Sequence, residues 1–279
     1  TGKSQCVNAA WVAFQDVKIT SATMVPELSV PDNAPFDTFN MLIGFVALPQ
    51  EIKKGSKTYD ITKNATFNAN AVKHRVLCLG GGPYNWTKDD LSEDTTASII
   101  TQAKQQGWNG LQYDVEIIDA GLGGDLKRAL DQVSTSGLYC SVTVYYSPGN
   151  QGGAVKSVFS TAGIFDSVDS VMVQLYDGSG TSTSQYNQYA HLWYEQKNIG
   201  GIKPPYCGNG WGLSTCPGPL SATTDKLVWG VALDATGKYI ASDYAGLPSA
   251  AGYCIWVLSG CSWAPKASGV SADPWYHCT

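Results

Sequence analysis

The amino-acid sequence predicts a single α/β domain of the parallel-barrel class, a (β/α)8 or TIM barrel that spans residues 1–279. Three observations predict this fold. Apolar, β-branched runs recur at regular intervals, and segments with a helical pattern separate them. The runs are continuously apolar, which is typical of parallel strands that are buried on both faces. The length of 279 residues is normal for one such barrel.

Eight strands and four helices are predicted in chain order. The strands lie at 10–15, 39–47, 75–80, 109–116, 138–146, 170–176, 227–233 and 253–258. The helices lie at 88–106, 122–136, 152–162 and 184–197. The first two helices end before Gly107 and Gly137, and glycine commonly follows a helix C-terminus. The first and last connections are weakly patterned, and 201–224 is a long Gly/Pro-rich excursion.

An open doubly wound sheet is the alternative architecture. It requires a glycine-rich phosphate-binding turn that opens a helix. The Gly80-Gly81-Gly82 run is followed by Pro83 and an aromatic residue instead of a helix N-terminus. The sequence has no domain boundary, internal repeat or low-complexity tract, so the barrel is the favoured prediction.

Composition and charge exclude several classes of function. A net charge of −5 offers no electrostatic basis for binding nucleic acid or an anionic membrane. No apolar run is long enough to span a bilayer. The three histidines (His74, His191 and His277) and the cysteine spacings do not resemble a zinc site. We therefore expect no metal, no cofactor, no nucleic acid and no membrane partner, and we expect a monomer.

Eight cysteines indicate an oxidising compartment and predict four disulfides, with reduced core thiols as the alternative. Cys207–Cys216 and Cys254–Cys261 are the preferred pairs, because each lies in or beside a loop rich in Gly, Pro or Ser. The expected location is extracellular, and the absence of a signal peptide at Thr1 fits a mature secreted chain. Two glycosylation sequons begin at Asn64 and Asn85 and agree with secretion.

Two acids stand at the end of the fourth predicted strand. Alternation places Gln112, Asp114 and Glu116 on one side of this strand, facing the barrel interior, with Glu116 outermost. Catalytic residues of such barrels lie at the carboxyl ends of the strands. Two carboxylates about 6–7 Å apart along a strand can share a proton, which keeps one of them protonated for acid catalysis. A structural layer of salt bridges is the alternative interpretation.

The segment WNGLQYDVE (108–116) resembles the strand-4 signature D-G-x-D-x-D-x-E of glycoside hydrolase family 18, the chitinases and their relatives. Asp114 and Glu116 match its last two acids, while Asn109 and Gln112 replace the first two. Three further segments resemble that family, and especially its plant class III, hevamine-type chitinases: LCLGGG (77–82, with Cys78 in place of Ser), VMVQLYDG (171–178) and YCIWVLSG (253–260). The segments 39–48 and 227–233 resemble strands 2 and 7.

This resemblance implies a retaining, substrate-assisted glycosidase that acts on chitin or N-acetylglucosamine oligomers. Glu116 is the expected acid and base, and Asp114 is expected to orient the substrate's acetamido group. Tyr176 is expected to hold the acetamido oxygen. Gln174, Trp256, Gln112 and Gly81 are the expected substrate-site residues, with Trp256 as the floor of the sugar site. Nine Trp and fifteen Tyr agree with a sugar-binding cleft, although most aromatic residues serve packing.

Gln112 is the main departure from the family pattern. The resemblance implies that an inner acid at this position partners Asp114. We expect the Gln112 amide to donate to Asp114 and to hold it as an anion. The substitution leaves two alternatives to a chitinase: an endo-β-N-acetylglucosaminidase that acts on N-glycans, and a weakly active or inactive glycan-binding lectin or inhibitor-like protein.

Overall fold

The structure is a computed structural model. It describes residues 7–13, 39–64, 67–82, 84–145, 153–159, 161–175, 190, 226–232 and 252–256.

Eight parallel strands close into one barrel, which confirms the predicted fold class. The barrel strands are β1 (Val7–Ala13), β2 (Met41–Ala47), β3 (His74–Gly80), β5 (Gly110–Asp114), β7 (Tyr139–Tyr145), β8 (Ser170–Gln174), β9 (Leu227–Ala232) and β10 (Gly252–Trp256). Two short strands, β4 (Asn85–Trp86) and β6 (Ile117–Ile118), pair in a separate small sheet. The barrel closes through the parallel pairing of β1 with β10.

Four α-helices are described: α1 (Pro49–Lys53), α2 (Glu93–Gln105), α3 (Gly123–Thr135) and α4 (Gly153–Phe159). The prediction for α2 includes five extra residues at its N-terminus, because the helix begins only after the Ser92 side chain accepts a hydrogen bond from the Thr95 N–H. Helix α1 was not predicted, since five residues are too few to show a periodic pattern. The predicted helix at 184–197 lies outside the described residues except for Ala190.

The strands separate two apolar layers. One layer lies between the barrel and its helices and includes Leu111, Tyr113, Val142 and Val144. The other fills the barrel interior with Val7, Ala9, Trp11, Met41, Ile43, Val76, Cys78, Met172, Val228 and Cys254. Successive residues of a strand point to opposite faces, so Gln112 and Asp114 face the interior between outward-facing Leu111, Tyr113 and Val115. The alternation predicted for this strand is therefore correct through Asp114.

The prediction of four disulfides is wrong. Cys78, Cys140 and Cys254 are free and buried, so three of the eight cysteines are unpaired. Cys78 and Cys254 pack in the barrel interior, and Cys140 packs on its outer face. The Cys254–Cys261 pair is excluded by the free Cys254 thiol, while Cys207–Cys216 lies outside the described residues. These three thiols act as small core hydrophobes.

None of the described helices is long and apolar enough to cross a membrane. Within the same residues, no group of three or more His, Cys, Asp or Glu side chains is arranged to hold a metal ion.

Candidate active site

The two predicted acids lie together at the carboxyl end of β5. Asp114 is the last residue of the strand, is 7% exposed and faces the barrel interior. Its main-chain carbonyl accepts a hydrogen bond from the Gly81 N–H at 2.9 Å and another from Trp86 Nε1 at 3.0 Å. Glu116 follows in the bend after the strand and is half-buried. The loop after β3 therefore fixes the end of β5 from one side.

The same loop holds the Glu116 side chain. The Gly82 N–H donates to Glu116 Oε1 at 3.0 Å. A backbone donor stabilises the carboxylate form and restricts where this oxygen can lie. Asn85 pairs with Ile117, and Trp86 pairs with Ile118. These pairs connect the loop after β3 with the loop after β5, which contains Glu116. Glu116 is thus presented on a supported loop at the end of the barrel where (β/α)8 enzymes carry their active sites.

Gly80 and Gly81 have conformations that require glycine. Their φ angles are +79° and +87°, in the left-handed region. A Cβ on Gly80 would lie 2.5 Å from a ring carbon of Trp86. A Cβ on Gly81 would lie 2.8 Å from Asp114 Oδ2. Gly81, predicted as a substrate-site residue, is therefore in direct contact with the Asp114 carboxyl group.

Trp86 is a residue of this region to which the sequence analysis assigned no role. It stacks on Tyr113 with ring centroids 5.4 Å apart and meets Tyr84 edge-on at 5.5 Å. Its indole N–H donates to the Asp114 carbonyl oxygen. Trp86 therefore supports Asp114 from the side of the helices. Its place within the Asn85 sequon was the only pattern that marked this residue, and a sequon carries no information about packing.

Burial raises the pKa of the Asp114 carboxyl group well above its usual value, and the negative charge of Glu116 raises it further. Burial, followed by the charges of Asp114 and Glu116, likewise raises the pKa of the Cys78 thiol. Cys78 is therefore a neutral thiol beneath the acids. Because Asp114 and Glu116 disfavour each other's ionised form, the pair retains a proton at pH values where an isolated carboxyl group has lost it.

The expected hydrogen bond between Gln112 and Asp114 is absent, because both ends of the Gln112 amide bond to other side chains. Without that donor, the raised pKa of Asp114 disfavours the expected anion. Gln112 is completely buried. Its Oε1 accepts from Trp11 Nε1 at 2.8 Å, and its Nε2 donates to Ser141 Oγ at 3.2 Å and to Met172 Sδ at 2.9 Å. The whole amide is thus bonded across the barrel interior, below Asp114. Without a donor from Gln112, burial and Glu116 decide the protonation of Asp114.

Of the remaining predicted site residues, the structure describes Gln174 completely, Trp256 by its main chain and Tyr176 not at all. Gln174 ends β8, is 5% exposed, and lies on the same strand face as the interior residue Met172. The main chain of Trp256 ends β10, paired with Ala232, at the same end of the barrel. Tyr176 lies outside the described residues. The structure therefore brings Asp114, Glu116 and Gly81 into contact or close proximity and places Gln174 and the Trp256 main chain at the same end.

The comparisons with known proteins agree with this architecture. No protein-family model and no curated protein matches the chain. Among solved structures, a GH18 chitinase from Pseudoalteromonas aurantia aligns at 11% identity and a TM-score of 0.52, covering 90% of this chain and 94% of its own. The GH18 chitinase catalytic domain of the fern Peteris ryukyuensis aligns at 16% identity and 0.52, covering 93% and 95%.

A family 18 chitinase from Crocus vernus aligns at 11% identity and a TM-score of 0.50, covering 91% of this chain and 94% of that one. At such low identity the similarity concerns the fold. The chain therefore has the barrel fold seen in these GH18 chitinases over almost its whole length.

Proposed function

We propose that this protein is a secreted, monomeric glycosidase of the family 18 type that hydrolyses β-1,4 linkages in chitin or N-acetylglucosamine oligomers. One observation carries the proposal: a buried acid with a raised pKa, Asp114, lies next to Glu116 at the carboxyl end of a barrel strand. Perturbed, coupled acids at this end of a (β/α)8 barrel are characteristic of catalytic sites. The shared barrel of the GH18 chitinases agrees with this assignment.

The proposed reaction begins with proton donation by Glu116. Glu116 protonates the glycosidic oxygen while the substrate's own N-acetyl oxygen attacks the anomeric carbon. The C–O bond to the leaving sugar breaks, and a cyclic oxazolinium intermediate forms. Asp114 accepts a hydrogen bond from the acetamido N–H and stabilises the positive charge that develops there. Glu116 then removes a proton from the water that opens the ring, which regenerates the starting protonation state.

The other predicted residues position the sugar. Tyr176 holds the acetamido oxygen in reach of the anomeric carbon, Gln174 contacts the same sugar, and Trp256 forms the apolar floor. Gln112 has a different role from the one expected, because its amide is already bonded to Trp11, Ser141 and Met172. It supports the barrel interior beneath the site and does not contact the substrate.

Hydrolysis of a fluorogenic chitotrioside tests the proposal, with Glu116→Gln as the inactivating variant. Glu116→Gln keeps the size and the acceptor oxygen that faces the Gly82 N–H but loses the transferable proton. We expect the loss of one acid–base group to lower kcat by about 100-fold or more. Glu93→Gln, a change at an exposed carboxylate in the first turn of α2, is the matched control and should retain full activity. Equal activity of the wild type and Glu116→Gln would remove Glu116 from its role.

A glycan-binding protein without activity is the second candidate, and the position of Gln112 favours it. The buried amide leaves Asp114 without the partner acid that the family pattern has at this position. Tight binding of a chitin oligomer by calorimetry, with no product released over long incubation, would establish this candidate in place of the enzyme. Release of product from a glycoprotein N-glycan but not from chitotriose would instead indicate an endo-β-N-acetylglucosaminidase.

A further inference from the structure

Two polar side chains of largely buried residues at the carboxyl end of the barrel have no hydrogen-bond partner among the described residues. Thr143 is 1% exposed, and its Oγ1 has no partner. Asp114 is 7% exposed, and within the described residues no group donates to its carboxyl oxygens. Buried polar groups are nearly always bonded, so each of these two requires an explanation.

Thr143 and Asp114 lie opposite each other on neighbouring strands. Asp114 of β5 and Thr143 of β7 are partners in the parallel ladder, and paired strands are about 4.8 Å apart. Thr143 alternates with Val142 and Val144, which face the helices, so its side chain faces the barrel interior. Both side chains therefore project into the same layer of the interior.

The residue pair one step below shows what this geometry allows. Gln112 and Ser141 are also ladder partners on β5 and β7 and also face the interior. Their side chains form a hydrogen bond at 3.2 Å. Asp114 and Thr143 repeat this arrangement two residues further along both strands. The equivalent bond between Asp114 and Thr143 would form by rotation of one of these two side chains.

The choice of threonine at this position has a cost that valine would avoid. A buried hydroxyl without a partner is unfavourable by about 1–3 kcal/mol. Valine has nearly the same shape and occupies positions 142 and 144 of the same strand. A hydroxyl held beside a catalytic carboxyl group can donate to the ionised form and accept from the protonated form. Its donation to the ion is the stronger of the two bonds.

We propose that Thr143 is a positioning residue for Asp114, whose hydroxyl supplies the hydrogen bond that Gln112 does not provide. The bond orients the Asp114 carboxyl group toward the acetamido N–H of the substrate and stabilises its ionised form as positive charge develops on the intermediate. Thr143 touches neither the sugar nor the reacting atoms. This inference rests on the proposed function for its catalytic consequence, but its effect on Asp114 is measurable without any substrate.

The direct test is a carbon-13 NMR titration of the Asp carboxyl groups, with the Asp114 signal assigned by its absence in Asp114→Asn. Removing a donor to the ionised form raises a pKa, so Thr143→Val should move the Asp114 titration to higher pH. Thr143→Ser keeps the hydroxyl and should titrate like the wild type. Thr96→Val removes another buried hydroxyl, on α2 outside the barrel, and should leave Asp114 unchanged.

Within the described side chains, Glu116 and the Cys78 thiol are the other ionisable groups that interact with Asp114. Both are retained in every variant, so they contribute the same background to each titration. An unchanged Asp114 titration in Thr143→Val would overturn the proposal. If the valine variant does not fold, Thr143→Ala removes the same hydroxyl and is read in the same way.

The kinetic test measures hydrolysis of the fluorogenic chitotrioside by the wild type, Thr143→Val, Thr143→Ser and Thr96→Val. We expect Thr143→Val to lower kcat by about tenfold with little change in KM, and to move the acidic limb of the pH profile to higher pH. Thr143→Ser should restore both. A parallel fall in all threonine variants, including Thr96→Val, would indicate a structural effect and would overturn the positioning role. If the wild type shows no hydrolysis, the proposed function fails, while the NMR titration still decides whether Thr143 contacts Asp114.

Discussion

The barrel interior contains two adjacent polar layers that differ in how their groups are satisfied. In the lower layer, Gln112 bonds to Trp11, Ser141 and Met172, and Ser170 Oγ donates to Ser141 Oγ at 3.0 Å. In the upper layer, the carboxyl group of Asp114 and the hydroxyl of Thr143 have no partners within the described residues. A polar network in which every group is hydrogen-bonded stabilises a core. Buried polar groups without partners lower the stability of the fold unless a ligand binds them.

Gln112 and Asp114 lie two residues apart on one strand face, yet their side chains differ in bonding. The comparison teaches that neighbouring interior positions of one strand can have different roles. The amide is a structural group whose bonds extend across the barrel. The acid is buried, and burial disfavours its ionised form. Variants in the lower layer should therefore affect stability, and variants in the upper layer should affect activity.

The largest effect is expected for Asp114→Asn. Loss of the charge that stabilises the intermediate should lower kcat by about 100-fold or more.

The same variant should be more stable than the wild type at neutral pH. The folded-state pKa of Asp114 is raised, so the folded protein binds the proton more tightly than the unfolded chain does, and wild-type stability falls as pH rises above the ordinary Asp value.

Thermal unfolding of both proteins at several pH values checks this prediction. Asp114→Asn should increase the unfolding free energy at pH 7, because the pKa of Asp114 is raised in the folded state. The gain should disappear near pH 3, where Asp114 is protonated in both states. A gain of the same size at both pH values would mean that charge burial is not its cause.

Gln112→Leu should remove the hydrogen bonds of the lower layer and leave Asp114 and Thr143 of the upper layer unchanged. Leucine fills much of the volume but removes the bond from Trp11 and both bonds of the amide nitrogen. We expect a loss of about 2–4 kcal/mol in unfolding free energy, measured by urea denaturation, with kcat within about threefold of wild type. Gln105→Leu, at an exposed amide in the last turn of α2, is the control and should be nearly neutral. A large fall in kcat with unchanged unfolding free energy would contradict the structural role assigned to Gln112.

Gly81→Ala tests whether the glycine loop sets the position of Asp114. The new Cβ would lie 2.8 Å from Asp114 Oδ2 and would occupy a φ of +87°. We expect kcat to fall by about tenfold as the carboxyl group is displaced, with a strain cost of about 1–2 kcal/mol.

Gly137→Ala, after the C-terminus of α3, is the matched control for this change. Gly137 also has a positive φ, +79°, but a Cβ there would meet nothing within 4 Å. It should show the strain cost without a comparable loss of activity. Equal kcat values for the two alanine variants would show that contact with Asp114 is unimportant.

The smallest effect concerns the buried thiols. Burial raises the pKa of Cys78, Cys140 and Cys254, so all three should resist a thiol reagent in the native protein. After unfolding without reductant, at least three thiols per chain should react, because these cysteines are free. Fewer than three would show that one of them forms a disulfide.

Sequence reasoning predicted all eight barrel strands and the two acids of the candidate site. Both depend on local patterns: continuous apolar runs mark buried parallel strands, and alternation along β5 identifies Asp114 as an interior residue. It missed Trp86 and Thr143, because neither carries a local pattern of function. Thr143 is polar within the apolar run 139–145, and this contrast was the only signal in the sequence.

The sequence by itself determined the barrel, the order of its strands and the strand end at which the acids lie, since these follow from periodicity within short segments. Only the tertiary structure decided the partners of Gln112, because Trp11 and Met172 are 101 and 60 positions away along the chain. It also decided that burial and the charge of Glu116 raise the pKa of the Asp114 carboxyl group, and that three cysteines remain thiols. Each of these depends on burial and on neighbours across the closed barrel, and local sequence does not specify which distant side chains meet there.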